Sequence, residues 1–211
     1  MKRFDEAQQI VDALAPEKRN TTEARIALAQ LFLAKGQARE GLKEISSIAE
    51  LPEASAELLV VYGDLLYLAG WLGRAGSAYE AALKKDPDSP TALLGRAKVE
   101  FRAGRKDNAL RVAEQAGEAL KKRAQPETVV AELWLLRGEV YLSMGAGKQE
   151  DAVFALKKAV SFDQAPPESY FWLGEALSKG SAAQAKEAYE NYLKADPDGE
   201  YAARARRAIG E

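Results

Sequence analysis

The sequence contains neither cysteine nor histidine. Without them it can build no disulfide, no thiolate or imidazole metal site, and no serine–histidine or cysteine–histidine nucleophile. The absence of cysteine suits the cytoplasm and the bacterial periplasm alike, with the cytoplasm slightly favoured. A surplus of one charge is also missing. Thirty basic residues against 32 acidic ones leave a net charge of −2, and the basic residues are not gathered as a nucleic-acid footprint requires, so no nucleic-acid partner is expected. No apolar run approaches the roughly 20 residues needed to cross a bilayer. Met1 to Glu6 lead straight into an amphipathic pattern rather than a signal peptide's apolar stretch, so the chain reads as soluble, without membrane insertion. Strand-type alternation is absent throughout. What is present, 47% apolar and 29% charged residues over 211 positions, is the composition of a folded protein.

An internal repeat then becomes visible. In the segments LAKGQAREGLKEI (33–45), YLAGWLGRAGSAY (67–79) and FRAGRKDNALRVA (101–113), the glycines Gly36, Gly70 and Gly104 recur at an interval of 34 residues. Each period reads as two helices. Leu58, Leu59, Tyr62, Leu65 and Leu66 have helical spacing before a glycine, and Ala78, Tyr79, Ala82 and Leu83 have it after. The glycine supplies the positive φ that ends the first helix, while DPDSP (86–90) ends the second and starts the next. The fold class is all-α, an array of antiparallel helix hairpins sharing a continuous core.

A 34-residue period is the tetratricopeptide spacing, and the chain resembles that family over nearly its whole length. With the turn glycine at position 15 of a repeat, the close-packing position 8 carries Ala29, Gly63, Ala97, Gly138 and Gly174, and position 20 carries Gly41, Ala75, Ala109, Ala152 and Ala185. Position 4 holds Leu59, Leu93, Trp134 and Tyr170, with Arg25 the exception, and the proline near position 32 appears as Pro87 and Pro197. The resemblance implies a right-handed α-α superhelix, with repeats at 22–55, 56–89, 90–123, 131–166 and 167–199. A half repeat (1–21) precedes them, 124–130 form an insertion, and a capping helix (200–211) follows with Arg204, Arg206 and Arg207 outward. Gly104 to Gly145 is seven residues longer than the period, and the surplus falls at KRAQPET (122–128), a loop or a lengthened helix end. Repeat four has two extra residues in its turn, GAGKQEDA (145–152).

Phe4-Asp5-Glu6-Ala7 matches positions 17 to 20, so the chain begins inside a repeat. The alternatives are a solitary capping helix or, as favoured here, a C-terminal fragment of a longer bacterial protein. An uncovered face over residues 5 to 15 would then permit homo-oligomers through that helix.

The remaining chemical signals are weak. Gly145, Gly147 and Lys148 lack the GxxxxGK[ST] spacing and follow no strand, so GAGKQED is not read as a phosphate loop. Asp86/Asp88 and Asp196/Asp198 sit in turns, where aspartate caps the next helix. Neither an enzyme nor a cofactor is expected.

In the resembled family, partners lie in a concave groove lined by positions 2, 5, 9, 12 and 13 of each first helix. Position 5 gives Ile26, Val60, Leu94, Leu135 and Phe171, and position 12 gives Leu33, Tyr67, Phe101, Leu142 and Ser178. Position 9 gives Gln30, Asp64, Lys98, Glu139 and Glu175, and position 2 gives Glu23, Glu57, Thr91, Glu132 and Glu168. Glutamate in a first helical turn also satisfies the helix dipole, so position 2 is ambiguous, whereas position 9 lies mid-helix. The groove residues proposed are Ile26, Gln30, Leu33, Val60, Asp64, Tyr67, Leu94, Lys98, Phe101, Leu135, Glu139, Leu142, Phe171 and Glu175, an apolar floor with acidic sides. That chemistry suits a protein partner offering an amphipathic helix or peptide with basic residues. The alternative is a structural protein assembling through its ends. The family's carboxylate clamp for chaperone tails is not matched, because position 5 is apolar throughout and position 9 holds no asparagine. Trp71, at position 16, is expected to pack under the neighbouring turn rather than form a second surface, and Trp172 could be core or contact.

Overall fold

The structure is a computed structural model that describes residues 20–211. The half repeat expected ahead of Thr22, and any association through it, fall outside the described residues. Among the described residues there are helices and no strands. In chain order they are α1 (Thr22–Ala34), α2 (Ala38–Ala49), α3 (Ala56–Leu68), α4 (Leu72–Lys85), α5 (Pro90–Arg102), α6 (Lys106–Lys122), α7 (Glu127–Met144), α8 (Gln149–Ala159), α9 (Glu168–Leu177), α10 (Ala182–Ala195) and α11 (Ala202–Ile209). No described helix is long and apolar enough to cross a membrane.

Local chemistry sets the helix ends. Thr21 Oγ1 accepts from the Ala24 amide at 3.3 Å, Ser55 Oγ from Leu58 at 3.1 Å and Ser89 Oγ from Ala92 at 3.4 Å. Each caps a first helix of a hairpin, and Pro90 adds its preset φ at the start of α5. Gly36 and Gly70 have φ of 71° and 80°. The next amides, of Gln37 and Trp71, reach back to the carbonyls of Phe32 and Leu66 at 2.8 Å, closing the wide turn of a left-handed helix end. A Cβ at either glycine would meet nothing within 4 Å, so the backbone conformation, not crowding, requires glycine.

The described residues divide into two compact units, one ending at Ala103 and the other running from Gly104 to Glu211. In the first, α3 is buried along most of its length, with Leu58, Leu65 and Leu66 at 0–1% exposure, and it packs against both α4 and α5. Tyr79 of α4 is 1% exposed and lies between two glycines. A Cβ on Gly63 would come within 2.6 Å of its ring, and one on Gly95 within 2.3 Å. The small residue at position 8 is therefore the socket for a large side chain from the hairpin's second helix. Gly95 of the following repeat closes that socket from the other side.

The second unit repeats the socket with Gly138 against Leu156 and Gly174 against Tyr189, where added Cβ atoms would stand 2.4 and 2.6 Å from those side chains. The surplus expected at 124–130 is taken up mostly as helix. α6 runs 17 residues and α7 runs 18, and Glu127 to Val130 form the first turn of α7, leaving only residues 123–126 outside helices. The two extra residues of repeat four are taken up in a three-residue 3-10 turn, Ala146–Lys148. Lys148 there pairs with Asp151 at 2.9 Å and lies over the Tyr141 ring at 5.7 Å.

Candidate functional site

The proposed groove residues separate into a buried layer and a half-exposed one. In the first unit Ile26, Val60 and Leu94 at position 5 are 8%, 9% and 4% exposed, so they are wall rather than surface. Leu33, Tyr67 and Phe101, at position 12 on α1, α3 and α5, are half-buried. The Arg102 guanidinium stands over the Tyr67 ring at 5.4 Å. Gln30 is exposed and Lys98 half-buried.

In the second unit Leu135 and Leu142 are half-buried against the core. Phe171 is fully buried. Tyr201, just ahead of α11, stacks on it at 4.4 Å with an 11° interplanar angle, and Arg204 stands over its ring at 4.9 Å. The capping helix covers this position, which places Phe171 in the core. Trp172 meets Phe171 and Tyr201 edge-on at 5.3 and 5.5 Å.

The acidic position 9 has an internal use that sequence reasoning missed. Tyr79 Oη donates to Asp64 Oδ1 at 2.6 Å, and Tyr189 Oη donates to Glu175 Oε1 at 2.8 Å. Each tyrosine belongs to its hairpin's second helix, so the carboxylate ties the two helices together. Glu175 also accepts from Arg204 Nη2 at 3.0 Å. The signal was present in the shared triplet Ala-Tyr-Glu at 78–80 and 188–190, whose tyrosines lie 15 and 14 residues after the two acids. Glu139, in the repeat where leucine replaces that tyrosine, is half-buried.

Burial raises the Tyr189 hydroxyl above the ordinary tyrosine value of 10.0, and its hydrogen bond to Glu175 raises it further. A group that holds its proton more tightly when folded stabilises the fold below its unfolded pKa, and that contribution fades as pH rises through the folded value. Wild type should therefore exceed Tyr189→Phe in stability at neutral pH and lose that advantage as pH climbs above 10.0. Urea unfolding of the two proteins across that range checks it; a constant difference would mean the bond does not titrate.

Trp71 is 48% exposed rather than packed away. It lines a cleft with Gly36, Gln37 and Ala38 of the neighbouring turn, and Arg74 stands 5.2 Å from its ring. That arginine donates to Tyr62 Oη at 2.6 Å and to Glu50 at 3.2 Å. Among the described residues no cluster of acidic side chains is arranged to hold a metal ion.

Family comparisons agree with this geometry. Tetratricopeptide-repeat family models match residues 72–120 and 168–199. No curated protein matches the sequence. Among solved structures, a chain of the APC/C hetero-tetramer Cut9–Hcn1 superposes with a TM-score of 0.85 at 16% identity over all of this chain, which spans only 40% of that one. TTC0263, a thermophilic tetratricopeptide-repeat protein of Thermus thermophilus, gives 0.73 at 19% identity over 90% of this chain and 99% of its own. YrrB, described as a tetratricopeptide-repeat protein with an unusual peptide-binding site, gives 0.54 at 16% identity, with 97% of each chain covered. With turns recurring every 34 residues and sockets for second-helix side chains, the described residues have the tetratricopeptide-repeat fold, and residues 72–120 and 168–199 carry tetratricopeptide repeats.

Proposed function

We propose that the chain is a non-catalytic scaffold that holds an amphipathic, basic and apolar peptide or helix against its first helices. Proteins of this fold are generally interaction scaffolds, which supports a protein partner. The observation that carries the finer reading is the row Leu33, Tyr67 and Phe101, half-exposed at the 34-residue interval on a bed of buried Ile26, Val60 and Leu94. Such a row offers evenly spaced apolar footholds to a helix laid across it. Glu23 and Glu57, exposed at the starts of α1 and α3, supply negative charge about 15 Å along the helices from the row. Asp64 contributes less than its position suggested, because Tyr79 already donates to it.

The test uses two synthetic amphipathic helices with the same leucines, one with lysines on its polar face and one with glutamates. Calorimetry should show the leucine–lysine peptide binding, and Tyr67→Ala with Phe101→Ala should weaken it about tenfold or more. Circular dichroism of the double variant guards against loss of fold. Equal binding of the glutamate peptide would sink the basic-ligand reading, and undiminished binding by the variant would remove the row from the site.

A further inference from the structure

The second unit carries a second apolar feature, away from the position-12 row. On α8, Phe154 is 58% exposed, the most exposed of the large apolar side chains among the described residues. Its one ring contact is edge-on to Trp134, at 5.9 Å. A solvent-facing phenylalanine on a well-formed helix forgoes burial that an aromatic side chain normally gains, about 150–250 Å².

The same unit holds a cleft of about 280 Å³ between α8, α9 and α10. Its floor is apolar, from Val160, Tyr170, Leu173 and Leu177, and its rim is polar. A cavity of about 150 Å³ is enough to take benzene, so this one has room for a phenyl ring. Charge distinguishes the two sides of the cleft: Lys157 of α8 stands on one and Glu187 of α10 on the other.

The knob is flanked by charge in the same way. Glu150, Phe154 and Lys158 follow at intervals of four, which places an acid, an aromatic ring and a base along one face of α8. All three are exposed. None of Glu150, Lys157, Lys158 and Glu187 takes part in an ion pair among the described residues, although other surface charges of this unit, such as Lys148 with Asp151, do.

We infer that this face is a self-association surface, in which Phe154 of one copy enters the α8–α9–α10 cleft of a second copy, with Glu150 meeting Lys157 and Lys158 meeting Glu187. The knob and the hole share α8, Phe154 lying within two turns of Lys157 and Val160, so a two-fold axis beside α8 lets both copies exchange knobs at once. Reciprocal exchange closes the assembly as a dimer. It uses neither the N-terminal residues nor the position-12 row, so it stands or falls apart from the peptide-binding reading.

Sedimentation equilibrium over a wide concentration range tests it. The wild-type mass should rise from 22.9 kDa towards twice that value. Phe154→Asp, at an exposed site, should leave helicity unchanged and weaken association about tenfold or more. Lys158→Glu and Glu187→Lys should each weaken it, and the two together should restore it, which a general loss of structure would not do. A mass that stays monomeric at every concentration overturns the proposal. So does association that Phe154→Asp leaves intact, or a charge-swapped pair that fails to recover.

Discussion

Replacing Tyr79 with alanine is expected to cost the first unit about 3–5 kcal/mol, read by chemical denaturation. The ring is 1% exposed and has glycine on both sides, at Gly63 and Gly95. Neither glycine has a side chain that could fill the vacated space, which favours a persistent cavity. The hydroxyl adds a smaller share: Tyr79→Phe keeps the ring but withdraws the donor from Asp64, at a cost of about 1 kcal/mol. The sockets also predict a reversal. Gly95→Ala alone places a Cβ 2.3 Å from the Tyr79 ring and must force it aside. In the Tyr79→Ala background the same methyl enters empty space, so the double variant should be more stable than the sum of the singles allows. An additive pair, or a Tyr79→Ala cost below about 1 kcal/mol, would show that the ring is not the wedge described.

Leu94→Asp should be at least as damaging, about 4 kcal/mol or more, because it leaves a carboxylate at a site only 4% exposed. Phe101→Ala, seven residues along the same helix and half-buried, should cost far less. The two were assigned to one groove from sequence, and thermal melts of the single variants separate them. A Leu94→Asp protein that melts like wild type would return Leu94 to the surface.

That contrast shows where the sequence was legible. Turns were readable because their cause is local: Gly36 and Gly70 need only a backbone angle, whereas the cap of α5, expected from Asp86 or Asp88, is Ser89, whose Oγ accepts from the Ala92 amide, and α11 has no side-chain cap. The small positions were readable as small. What fills them was not, since Tyr79 answers to Gly63 in its own hairpin and to Gly95 in the next. Position 9 misled for the same reason. Asp64 and Glu175 looked free to meet a ligand because their tyrosines lie 15 and 14 residues downstream, on another helix. Phe171 was misread because its cover, Tyr201 and Arg204, comes from a segment that the repeat pattern treats as an afterthought. The length of the insertion was countable, but its conversion into extra turns of α6 and α7 was one of two readings left open.

Within each unit the helices that pack together are adjacent or next but one in the chain. Folding such a chain closes only short loops, which favours speed. The same wiring sets its response to a pull. No staple joins distant segments of a unit, so tension applied at the ends is borne by one hairpin interface at a time, and hairpins release in sequence rather than together. Each 34-residue hairpin that lets go adds roughly 110 Å of slack. A tether built this way gives by steps under load and recoils when the load is removed.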